Sequence, residues 1–135
     1  MPQVIRVMNV LMGCLFLLAL VLQYNDPDPL RWMAIYGAAA VVCLLALRRR
    51  LRRWMPLVVG VVALAWAATL APGVVGRVSP RDLFREIPMG STAIEEGREM
   101  GGLLIVAAWM LVLLISARRP TVADDKPEAW PERAR

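Results

Sequence analysis

Two short polar segments, far apart in sequence, carry oxygen ligands, an amide and a guanidinium that act together if they meet at one membrane boundary. They are Gln23-Tyr24-Asn25-Asp26-Pro27-Asp28-Pro29, followed by Trp32, and Glu95-Glu96-Gly97-Arg98-Glu99. The two prolines stiffen the first segment and fix how its carboxylates are presented. On a helical wheel of about 100° per residue, Glu95, Arg98, Glu99 and Gly102 share one face, with Glu96 to the side. That face continues into Val106 and Trp109, so the sequence places it toward other helices. Two chemistries fit. In the first, Arg98 pairs with Asp26 or Asp28, Asp28 caps the following helix, and the network is structural. In the second, Asp26, Asp28, Glu95 and Glu99 with the Asn25 carbonyl form an oxygen-rich pocket for a hard cation such as Ca²⁺ or Mg²⁺, or for a lipid headgroup. The Arg98 cation opposes a metal and favours an anionic headgroup.

The elements that must position these residues are membrane helices. Hydrophobic residues make up 59% of the 135-residue chain, against about 45–50% in soluble domains. They gather into uncharged runs from Val7 to Asn25, Trp32 to Leu47, Trp54 to Gly76 and Met100 to Ala117. Crossing about 30 Å of hydrocarbon takes about 20 helical residues. Helices are expected at about residues 4–24, 29–50, 55–72 and 92–118. Asp28-Pro29 fits the start of the second, Pro56 the start of the third, Pro72-Gly73 its exit, and Thr92 to Glu95 the start of the fourth. The fold class is therefore all-α: a polytopic membrane four-helix bundle over residues 1–119. A short interfacial helix is expected in the outer loop between helices 3 and 4, where Ser79-Pro80 precedes Leu83, Phe84 and Ile87. Residues 120–135 form a polar, proline-containing tail that reads as disordered. Gly37 to Ala40, Ala63 with Ala67, and Gly101-Gly102 offer small surfaces for close helix approach, and Asn9, embedded in the first span, an interhelical hydrogen bond.

Charge sets orientation. Arg6 precedes the first span, Arg48, Arg49, Arg50, Arg52 and Arg53 separate the second and third, and Arg118-Arg119 follow the fourth, whereas the other two connections are balanced or acidic. By the positive-inside rule both termini and the arginine loop are cytoplasmic, and the two polar segments face outward. The arginine loop is too short to leave the surface, and its partner is anionic membrane lipid rather than nucleic acid. The first run is expected to be a retained span, since no small-residue cleavage site follows it. Of sixteen basic residues one, Lys126, is a lysine. Such arginine usage suggests a GC-rich genome and hence a bacterial inner membrane.

The chain has no histidine, and it shows neither a serine nucleophile with a base, nor a phosphate-binding glycine loop, nor a Cys-x-x-Cys motif. No cofactor can be assigned. An enzyme using the outer carboxylates thus ranks behind two readings: a non-enzymatic scaffold or accessory subunit of a membrane complex, and a binding protein for a lipid headgroup, small ligand or cation. Another membrane protein or a second copy of the chain would be the partner in the first. The motifs Gln23-x-Asn25-Asp26-Pro27-Asp28-Pro29-x-x-Trp32 and Glu95-x-x-Arg98-Glu99-x-x-Gly102-Leu103, set in residues 4 to 117, resemble the transmembrane protein 220 family. The resemblance implies a small multi-pass membrane protein and supplies no catalytic residues.

Overall fold

The computed structural model describes residues 1–76 and 92–117. Among these described residues, four α-helices follow in order: α1 (Gln3–Leu22), α2 (Pro29–Leu47), α3 (Trp54–Val74) and α4 (Thr92–Ser116), with a 3₁₀ turn at Gln23–Asn25 between the first two. All four are long and apolar enough to cross a membrane. The expected interfacial helix and the tail lie outside the described residues.

The helices start within a residue of expectation, but all four end two or three residues away from it; at α2 and α3 the difference has a local reason. Helix α2 stops at Leu47 because Arg49 turns left-handed, with φ 55°. The Arg50 N–H then donates to the Leu45 carbonyl at 2.9 Å and the Arg49 N–H to that of Ala46 at 3.2 Å, the reciprocal pair that closes a helix when its first outside residue is left-handed. Glycine normally takes that position, and an arginine there costs about 1 kcal/mol. Helix α3 passes through Pro72, which was expected to end it. Proline in a last turn forfeits a single hydrogen bond, and the Val75 N–H still reaches the Ala71 carbonyl at 2.8 Å before Gly76, with φ 77°, makes the exit.

Helix α1 packs along α2 and α3 along α4, and these two hairpins meet mainly through α2. Without a hydrophobic drive between helices in lipid, close approach depends on small residues. A Cβ on Gly13 would lie 3.4 Å from that of Cys43, and one on Gly60 would lie 3.1 Å from that of Met110. Ala39 and Ala63 are wholly buried and Ala67 nearly so. Facing them, Leu103, Val106, Met110 and Leu113 form a buried stripe on α4 with the alternating three- and four-residue spacing of a packed helix seam. Large apolar side chains cover the outside instead, among them Val7, Leu11, Leu15 and Leu18 on α1. Such a surface suits lipid and not water.

Between the hairpins the filling is bulkier. Trp32 of α2 stacks on Trp66 of α3 with ring centroids 4.5 Å apart. Deeper in, Asn9 is fully buried; its amide donates to the Cys43 carbonyl at 2.8 Å, and its side-chain oxygen accepts from the Trp109 indole at 3.1 Å. Asn9 thus ties α1 to both α2 and α4, as its placement in an apolar run suggested. Asn9→Leu is expected to lower stability in detergent by about 1–2 kcal/mol, because it leaves the indole N–H without its acceptor. Adding Trp109→Phe should cost less in that background than alone. Strictly additive losses in a double-mutant cycle would show that the bond contributes nothing.

Candidate functional site

The outer polar end is built from the turn between α1 and α2 and the first turns of α4. After the 3₁₀ turn, the Asp26 N–H donates to the Gln23 carbonyl at 3.1 Å, and Asp26 Oδ1 accepts from the Asp28 N–H at 3.0 Å. That is an aspartate turn, in which the side chain replaces a backbone acceptor. Asp28 occupies the N-cap position with Pro29 beside it, but its carboxylate makes no cap hydrogen bond. It pairs instead with Arg31 at 3.4 Å, both side chains more than 60% exposed. An ion pair that open to solvent contributes little. The expected side-chain cap is therefore replaced by a surface pair.

The expected pairing of Arg98 with Asp26 or Asp28 is not formed: among the described residues no such ion pair exists, and Arg98 is exposed. The reason is the rotation of α4. Its buried stripe runs through Leu103, and Arg98 lies about 140° around the helix from that residue, whereas Glu96 lies within about 20° of it. Glu96, expected to lie to the side, meets a neighbouring helix directly. Its carboxylate occupies the space over Gly73 of α3, where a Cβ would overlap it. Glu95 is exposed and Glu99 is half-buried.

Glu99 nevertheless sits within electrostatic reach of Asp26, Glu95 and Glu96, so the turn and α4 do share one boundary. Asn25 is exposed beside half-buried Asp26. Trp32, the remaining candidate, is 5% exposed and belongs to the core. It is flanked by Trp66 and by Tyr36, whose ring centroid is 6.4 Å away at an interplanar angle of 26°. The Tyr36 hydroxyl reaches the backbone of α4 at Gly102, where a Cβ would overlap it. Neither Tyr36 nor Trp66 was singled out in the sequence. Trp32 and Tyr36 stand four residues apart on one helix face, and that spacing was the available signal. Among the described residues, no three His, Cys, Asp or Glu side chains converge to hold a metal ion.

Among the described residues, four apolar helices with no unsatisfied buried side-chain polar atom and a polar rim define a small polytopic all-α membrane protein. The chain belongs to the family described as Transmembrane family 220, helix, which matches residues 15–115 and so takes in both polar motifs. It is 34% identical over 110 residues to Transmembrane protein 220 of Xenopus laevis, an alignment that takes in 79% of this chain and 56% of that relative. The chain thus spans about half the length of the curated relative it matches. No solved structure matches it.

Proposed function

We propose that this protein is a non-enzymatic scaffold or accessory subunit of a membrane complex, which meets its partner at the outer polar rim. The observation that carries this reading is the division of labour among its polar side chains. Inside the bundle, Asn9 and the Trp109 indole are consumed in holding helices together. At the rim, Glu95 and Arg98 are exposed, and Asp26 and Glu99 are half-exposed beside Asn25 and Asp28. A surface of mixed charge suits recognition of another membrane protein or of a second copy. Purification of the intact chain in mild detergent should bring down a stoichiometric protein that Arg98→Glu releases. A single chain that retains only lipid would end the subunit reading and leave the headgroup reading, which Arg98 supports by its exposure on a rim where an external anion could reach it.

The charge asymmetry supports an inner-membrane orientation with the termini and the arginine loop in the cytoplasm and the acidic rim outside. Four spans return the chain to the side on which it starts, and the Arg53 guanidinium donates to the Ala117 carbonyl at 3.3 Å, bringing the α2–α3 loop beside the end of α4. Reporter fusions after residues 51 and 119 should both report cytoplasm. An external signal from either would reverse the assignment.

A further inference from the structure

We propose that the loop between α2 and α3 is a docking surface for the phosphates of anionic phospholipids, with Arg48, Arg49, Arg50 and Arg52 as its contacts. Every arginine of this loop is exposed, while Leu51 in its middle is half-buried and packs against the hydrophobic core. The leucine pins the loop to the end of the bundle, so the charges stay at the membrane surface. Trp54, which opens α3, is 55% exposed, and an exposed indole at a helix end marks headgroup depth. The carboxylates of the described residues, Asp26, Asp28, Glu95, Glu96 and Glu99, all belong to the opposite end of the bundle. Arg53 is engaged with the Ala117 carbonyl, a common way for a cation to satisfy the last acceptors of a helix.

The backbone supplies the argument that charge alone does not. Arg49 holds a left-handed conformation, φ 55°, where glycine would be unstrained. The turn closes α2 through backbone bonds that glycine would make without strain, and among the described residues the Arg49 side chain makes no hydrogen bond or ion pair, so an arginine kept there points to use of its side chain. A topology signal requires positive charge anywhere in the loop, whereas a guanidinium at this one turn presents a planar fork to phosphate oxygens. The loop's attachment to the membrane end of the bundle selects lipid as the source of the phosphate over a free anion.

The test uses the full chain in nanodiscs of phosphatidylcholine with phosphatidylglycerol, released into mild detergent and weighed with its retained lipids by native mass spectrometry. Phosphatidylglycerol should be enriched over its share of the bilayer, and each of Arg48→Gln and Arg50→Gln should lower that enrichment about fivefold. These side chains are exposed, so both variants should keep the thermal midpoint of the parent chain. Arg49→Gly should separate the two roles of its residue. In phosphatidylcholine alone it should move the unfolding equilibrium about two- to fivefold toward the folded state, while lowering phosphatidylglycerol enrichment as the other variants do. Retention of the two lipids in proportion to the bilayer, or enrichment unchanged in these variants, would overturn the proposal. So would loss of enrichment in the presence of inorganic phosphate at a concentration equal to that of the lipid, or an acidic protein held by the same arginines in place of lipid.

Discussion

Trp32→Ala is expected to lower the stability of the bundle in detergent by about 3–5 kcal/mol, the range for removing a large aromatic side chain from a packed interior. The residue lies in the outer motif, so its tryptophan could have been a binding surface; the structure places it elsewhere. It is 5% exposed, stacked on Trp66 at 4.5 Å and adjacent to Tyr36. Because the hairpins meet mainly through α2, that stack is one of the contacts that join α1–α2 to α3–α4, beside Tyr36 against Gly102 and the Asn9–Trp109 bond. Alanine would leave a cavity at the seam that neither backbone can close, since close approach at a seam needs small residues on both sides. Trp32→Phe should recover part of the loss. If the alanine variant unfolds at the parent midpoint, Trp32 is not a core residue, and its role at the rim returns to consideration.

The parts of this fold that were legible in the sequence are those fixed by one-dimensional rules. The length of an uncharged run decides whether a helix can span lipid, and four runs gave four helices with starts displaced by a residue at most. The burial of Asn9, Ala63 and Ala67 followed from their types inside apolar runs. Rotation about a helix axis was not legible where the helix carries few hydrophilic markers. The wheel for α4 was set by its charged first turns, which took Glu95, Arg98, Glu99 and Gly102, continuing into Val106 and Trp109, as one inward face. Val106 and Gly102 do face inward, but Arg98 does not. The packed stripe is instead set lower down, by Leu103, Val106, Met110 and Leu113. Extending that stripe upward passes through Glu99 and reaches Glu96, and it leaves Arg98 outside. Charges at the end of a span can reach the headgroups from several angles, so they do not fix rotation; close-packed residues do. The Asp28 cap was expected and is absent for a related reason. Capping geometry depends on where the carboxylate turns, and Arg31, three residues on, competes for it.

The adjacent glycines of α4 separate packing from composition, and opposite outcomes are expected for them. At Gly101 a Cβ would meet nothing within 4 Å. Gly101→Ala should therefore stabilise the helix by about 0.5–1 kcal/mol, the usual difference between these residues in a helix interior. At Gly102 a Cβ would overlap the Tyr36 hydroxyl. That oxygen ends a rigid ring that is 7% exposed and bordered by Trp32, so it cannot swing aside as a flexible chain would. Gly102→Ala should force α2 and α4 apart and cost about 1–3 kcal/mol, the range for overpacking a fitted interior. Tyr36→Phe removes the atom in the way, and the pair Gly102→Ala with Tyr36→Phe should regain most of the loss, a coupling that thermal unfolding of all four proteins would measure. The contact also has a consequence for the rim. Glu99, one turn above Gly102, lies within electrostatic reach of Tyr36, so the phenol end and the outer carboxylates are held in register by the absence of a single methyl group. Equal effects of alanine at the two glycines, or no recovery with Tyr36→Phe, would show that α4 is not seated against Tyr36.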